Sequence, residues 1–238
     1  MLLYYYKCEQ KKFLYQKWNI IVLFGILLLV PVMVLTLGSY AGETGKLLSK
    51  SKLIQGFYLG QAGYTVLTAL YFGNEYQRSA LRTSLLSTPN RGMFLISKFL
   101  CILTWSLILL SATSVISIIA LKLSLNESLS VNELLYALIP AFLSTVELVI
   151  ITGGIVILTR SMIVSMAVIV SLILGLGNIL LQYSAEMKYL PVLSTMNGFM
   201  IMNVPHYLSI NTGIIIQAIW SVALLMSAFF IFSKRYVR

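Results

Sequence analysis

The chain alternates long apolar runs with short polar links. A hydrocarbon core of about 30 Å takes roughly 20 helical residues at about 1.5 Å each. Six runs approach that length: Asn19 to Leu37, Leu53 to Phe72, Phe99 to Leu121, Leu134 to Thr159, Met162 to Leu181 and Ile210 to Phe232. This pattern predicts an all-α fold, a polytopic integral membrane protein of six transmembrane helices forming a single domain over residues 1–238. The first run exceeds the roughly 7–15 residues of a signal core and follows a long charged leader, so it reads as a span.

Three segments depart from this frame. The leader, residues 1–18, mixes lysines with Tyr4, Tyr5, Tyr6, Phe13, Tyr15 and Trp18, the composition of an amphipathic interfacial helix, and Lys7 and Lys11 share one face at i, i+4. A polar island runs from Asn74 to Lys98. Asn74 is placed to cap a helix, Gln77 three residues on makes an imperfect capping box, and Glu75 suits the first turn and pairs with Arg78 at i, i+3. Tyr76, Ala80, Leu81 and Leu85 fall on one face and Arg78 and Arg82 on another, while Pro89 pushes Thr88 out of the helical region. These features predict a short amphipathic helix over residues 74–88. The third segment, 183–209, carries Pro191, Gly198 and Pro205 and the run FMIMNV. It is too apolar for a free loop and predicts short helices that re-enter the outer leaflet.

Composition agrees with the pattern: 59% of residues are hydrophobic and 10% charged, with a mean hydropathy of +0.91, against roughly 45–50% apolar in soluble proteins. Charge adds orientation. Lys7, Lys11, Lys12, Lys17, Arg78, Arg82, Arg91, Lys98, Arg160, Lys234, Arg235 and Arg238 lie at the termini and the links that share their side, whereas the other side holds Lys46, Lys50, Lys52, Lys122 and Lys188. This asymmetry predicts a multi-pass protein of the cell (plasma) membrane with both termini cytoplasmic. Topology and contact with anionic membrane lipid account for the net charge of +10, so no nucleic-acid partner is expected.

The chemistry of an enzyme is missing. The chain has no Asp, and of its seven Glu only Glu147 lies inside a span, so no carboxylate pair is available within the bilayer. His206 is the single imidazole, in a segment with no second His or Cys, and Cys8 and Cys101 imply neither a disulfide framework nor a metal cluster. Gly42 to Lys46 departs from a phosphate loop, because Tyr40 and Leu47 occupy the glycine and hydroxyl positions.

The stretch Glu75, Tyr76, Ser79, Ala80, Leu81, Arg82, Leu85, Arg91 and Lys98 resembles the loop between the second and third spans of type-2 ABC transporter permeases. There an acidic residue precedes Gly-Thr, Leu, Arg and a leucine pair, with a second Arg about nine residues after the first and a Lys opening the third span. Ser79 and Ala80 depart from the Gly and Thr of that pattern. Similarity in sequence is confined to the island, whereas the layout of six spans, leader and long outer segment is similar throughout.

The resemblance implies a cytoplasmic coupling helix that docks on a separate ATP-binding subunit through Glu75, Tyr76, Arg78, Leu81, Arg82 and Leu85. It implies that ATP and Mg bind on that partner, that this chain binds no cofactor of its own, and that two permease chains, identical or related, work with two ABC ATP-binding subunits. The implied function is export of an amphipathic peptide, drug or lipid. A small permease with a Tyr- and Lys-rich terminus is similar to those of antimicrobial-peptide (lantibiotic) immunity and peptide export. A membrane sensor or assembly scaffold that moves no substrate remains the alternative.

Glu147 is the outlier within the spans. A carboxylate at bilayer depth costs about 2.5–3.5 kcal/mol on insertion scales, so it is expected to face a substrate path or a packing partner such as Ser144. Tyr58, Gln61 and Tyr64 recur at helical spacing in the second span and are candidates for lining the same path. Gly153 with Gly154, and Gly175 with Gly177, are expected to allow close helix contact.

Overall fold

The computed structural model describes residues 2–37, 46–77, 90–125, 130–201 and 204–234. The helices are α1 (Leu2–Tyr15), α2 (Lys17–Thr36), α3 (Lys46–Gly73), α4 (Arg91–Leu125), α5 (Val131–Thr159), α6 (Met162–Ser171), α7 (Gly177–Tyr183) and α8 (Ile210–Lys234), with a π-helical turn, Leu172–Leu176, joining α6 to α7. Among the described residues, five stretches are long and apolar enough to cross a membrane: Lys17–Thr36, Arg91–Ser124, Val131–Thr159, Met162–Tyr183 and Ile210–Lys234.

The sixth expected run is α3. At 28 residues it has the length, but Lys46, Ser49, Lys50, Ser51, Lys52, Gln55 and Gln61 dilute its apolar character. Its polarity is tolerated because it lies at the centre of the bundle, packed against α2, α4, α5 and α6. Leu53, Phe57, Tyr64, Leu67, Tyr71 and Phe72 of this helix are all buried.

Two glycine features set the packing. Along α3, Gly56, Gly60 and Gly63 face Val34, Val30 and Ile26 of α2, and a Cβ on Gly60 or Gly63 would come within 2.9 and 2.8 Å of those side chains. The expected contacts at Gly153, against Phe99 and Phe72, and at Gly154, against Leu224, are present. Gly177 fits against Leu193, but Gly175 does not serve contact: nothing approaches its Cβ position, and it holds φ +125 within the π turn. That conformation is open to glycine and strained for other residues.

Helix ends are specified locally. Ser130 and Glu133 form a full capping box on α5. The Asn90 carboxamide oxygen accepts from Met93 N–H at 3.2 Å and caps α4. Between α7 and α8 the chain folds back into the bundle: residues 191–199 are buried, and the Asn197 side chain accepts from Val204 N–H and donates to Val204 and Leu208 carbonyls. A side chain at Gly213 would collide with the Ser194 carbonyl.

Candidate functional site

At one end of the bundle, α1, the end of α3 and the first turns of α4 meet in a buried charge cluster. Tyr6, Glu9, Gln10 and Phe13 form the inner face of α1, spaced so that one helical stripe meets α4. Tyr6 Oη and Gln10 Nε2 donate to Thr104 Oγ1 at 3.1 and 2.9 Å, Trp105 Nε1 donates to Gln10 Oε1 at 2.6 Å, and the Phe13 ring stacks 5.1 Å from that of Trp105. Beneath them, Lys98 Nζ lies 2.9 Å from Glu75 Oε1 and 3.8 Å from Glu9 Oε2, and Lys12 Nζ lies 3.1 Å from Glu9 and 3.7 Å from Glu75.

Burial makes this cluster consequential. Lys98, Glu9 and Glu75 retain 2%, 3% and 6% of their surface. Tyr71 Oη donates to Glu9 at 2.7 Å, and Lys98 Nζ stands 4.3 Å from the Tyr71 ring centre. Burial alone lowers the Lys12 ammonium, but the carboxylates of Glu9 and Glu75 outweigh it and hold the group above its ordinary 10.5. Removing one member of a buried ion pair leaves an uncompensated charge and costs about 3–5 kcal/mol.

The island's anchored residues differ from their expected places. Asn74 does not open a new helix: α3 runs on through a 3-10 turn, Asn74–Tyr76, and the backbone becomes extended only at Gln77, φ -90 and ψ 143. Asn74 Nδ2 instead donates to Gln16 Oε1 at 3.4 Å. Glu75 turns inward to Lys98 and Lys12, not along an exposed helix face, and Tyr76 is half-buried against the core. Arg78, Leu81, Arg82 and Leu85 lie outside the described residues. α4 begins at Arg91, eight residues before the apolar run, which places Lys98 within a helix and against rings.

Of the candidate path residues, Tyr58, Gln61 and Tyr64 do not share a face. Each three-residue step falls about 60° short of a full turn, so the side chains fan to three different helices. Tyr58 Oη donates to the Ile173 carbonyl in the π turn, Gln61 Nε2 to Ser144 Oγ of α5 at 2.8 Å, and Tyr64 Oη pairs with Thr113 of α4. Ser144 therefore serves Gln61 and, through its carbonyl, Gln217 of α8, at 3.0 Å, while Glu147 one turn on keeps a buried oxygen without a hydrogen-bond partner. An unmet buried acceptor costs about 1–3 kcal/mol.

The family model described as ABC-2 family transporter protein matches residues 6–178. The chain belongs to the ABC-2 transporter family. As a member it is a multi-pass membrane protein and a permease subunit of an ABC transporter, part of the transport machinery and not its catalyst, and the family works with ATP-binding subunits. The matched residues include the whole charge cluster and the island, and stop within α7, ahead of the buried segment 191–199 and α8. No curated protein matches the chain.

Several residues of this ABC-2 permease escaped the sequence reading. Glu9 and Lys12 read as ordinary headgroup-facing charges of an amphipathic leader, and only partners 62 and more positions away reveal Glu9 as buried and Lys12 as paired with it over the cluster. Gln217 had a detectable signal, a carboxamide set in the apolar stretch of α8 beyond its first turn.

Proposed function

We propose that this permease is the six-span membrane subunit of an ATP-driven exporter in the cell membrane, with both termini in the cytoplasm. α3 is its second span, the polar island between Glu75 and Lys98 carries the segment that couples to the ATP-binding subunit, and residues 183–209 form the outer re-entrant segment. Two such chains, identical or related, work with two ATP-binding subunits that hold the ATP and Mg. The cargo is an amphipathic peptide, drug or lipid, and immunity to antimicrobial peptides is the role to which the Tyr- and Lys-rich segment of residues 1–18 points.

The observation that carries the reading is the ion pair between Glu75 and Lys98. These residues stand at the two ends of the polar island, so a push on the loop between them is delivered to α1, α3 and α4 together. Tyr76, Leu81 and Leu85 supply the apolar anchor for the ATP-binding partner, Arg78 and Arg82 its carboxylate-pairing charges, and Glu75 the fixed base. Gln61 and Glu147 border the substrate path, whereas Tyr58 and Tyr64 tie α3 to its other neighbours.

The test is co-purification with the ATP-binding subunit, comparing wild type with Arg82→Glu and Leu85→Asp. Both variants are expected to weaken association and ATP-driven transport. If neither does, the coupling role is wrong and the sensor or scaffold reading takes its place. Glu147→Gln is expected to alter transport more than expression, and equal loss of both would make that residue structural.

A further inference from the structure

We infer that Glu147, Gln61 and Gln217 form a recognition site for the ammonium head of a cationic amphiphile, whose apolar body lies in the groove between α5 and α8. This rests on reading Gln61 and Glu147 as part of the substrate path. Gln61 and Gln217 are 1% and 0% exposed, and both turn their amide nitrogens to Ser144, one to its hydroxyl and one to its carbonyl. Both amide oxygens are left buried without a partner. The hydroxyl protons beside them are already committed: Ser144 Oγ and Thr145 Oγ1 donate to the Ala141 carbonyl at 3.2 and 2.6 Å. Exchanging the Gln217 amide atoms offers no relief, since it would set one oxygen against the Ser144 carbonyl.

Glu147 lies three residues beyond Ser144, on the same side of α5, and its Oε2 is also buried and unpartnered. Gln61 and Gln217 thus bring unmet acceptors from α3 and α8 to Ser144, Glu147 adds another from α5 one turn on, and the described side-chain donors there are spent apart from the second N–H of Gln217 Nε2. Nor, among the described residues, does a cation stand in: between Lys122 and Lys234 the chain has only Arg160, at the far end of α5, and Lys188, over the Tyr189 ring. The missing complement is a positively charged N–H donor.

The groove supplies the rest. Tyr136, Ile139, Pro140 and Leu143 of α5 and Ile210 and Ile214 of α8 line a cavity of about 520 Å³. It reaches Leu143, one helical turn before Glu147, which is half-buried and gives the carboxylate an approach from that side. A largely apolar trough, with the Asn132 and Asn211 carboxamides at the helix starts, that ends beside an acceptor-rich pocket suits an alkylammonium better than a neutral amphiphile or a bare metal ion.

The test is displacement of a dansyl alkylammonium probe from the purified chain in phosphatidylcholine nanodiscs. Dodecylammonium is expected to displace it at least tenfold better than dodecanol, and dodecyltrimethylammonium, which keeps the charge but has no N–H, to fall between them. Glu147→Gln is expected to remove most of the preference for the amine, Gln217→Met to weaken it several-fold, and Glu147→Asp to retain it. Equal displacement by amine and alcohol in the wild type overturns the site. So does an unchanged preference in a monodisperse Glu147→Gln, or in Gln217→Met should the former not fold, and so does displacement by millimolar sodium or potassium in place of the amine. Adding phosphatidylethanolamine to the nanodiscs separates the sources: competition assigns the head to a lipid amine, its absence to a soluble one. No ATP-binding subunit takes part, so a failure here leaves the coupling reading intact, and a failed co-purification leaves this binding intact.

Discussion

Glu75 and Lys98 lie 23 positions apart in sequence and 2.9 Å apart in space, closing the base of the polar island with a buried ion pair. The same lysine reaches Glu9 of α1, so three segments depend on one ammonium.

Lys98→Met is therefore expected to lower stability by up to about 3–5 kcal/mol, because it leaves two buried carboxylates with only the half-exposed Lys12 as counter-charge. Adding Glu75→Gln to that variant removes one of the stranded charges and is expected to recover part of the loss. Heat-induced loss of monodispersity in detergent reads both. Strictly additive effects of the two substitutions would show that the residues are not coupled.

Lys12 is half-exposed and contributes less. Its ammonium is held above 10.5, so its stabilising contribution is complete below that value and disappears as pH rises through the folded-state value. At neutral pH, Lys12 is expected to acylate more slowly than the exposed Lys7 and Lys11, read by mass spectrometry after a brief pulse of reagent. Equal rates would count against its pairing with Glu9 and Glu75.

Gly60→Val forces methyl groups onto Val30 of α2, and overpacking of this kind costs about 1–3 kcal/mol. Gly25→Ala on α2 meets nothing within 4 Å and is expected to be neutral or mildly stabilising. Thermal midpoints of the two variants, measured side by side, check the seam between α2 and α3.

Gly175→Ala places a Cβ on a residue at φ +125 and is expected to cost on the order of 1–3 kcal/mol even though the space beside it is empty. Tyr58→Phe removes the donor to Ile173 in the same π turn and is expected to cost about 0.5–1.5 kcal/mol. If Gly175→Ala is harmless, the turn does not hold that conformation.

Long apolar helices were legible in the sequence because their signal is local: α2, α4, α5 and α8 fall within a few residues of the expected runs, apart from the earlier start of α4. α3 was legible as a helix, and its central position explains why it carries more polar residues than the others. What local pattern could not supply was pairing at a distance. Asn74 looked like a cap because nothing nearby in sequence announces Gln16 as its partner. Tyr58, Gln61 and Tyr64 looked like one lining because three-residue spacing was treated as one face, whereas the accumulated lag turns them to separate neighbours. Gly56, Gly60 and Gly63 were a readable stripe, at steps of four and three, and they mark the α2–α3 seam that the reading of Gly153 and Gly154 overlooked.

That seam limits which motions the molecule has available. Val34, Val30 and Ile26 sit like pawls in notches cut to the backbone of α3, and slipping either helix by one residue, about 1.5 Å, would drive methyl groups onto main-chain atoms. α2 and α3 can tilt together but cannot shear past each other. Rearrangement therefore falls to the contacts α3 makes with α4, α5 and α6, where Tyr64 and Gln61 reach across to polar partners.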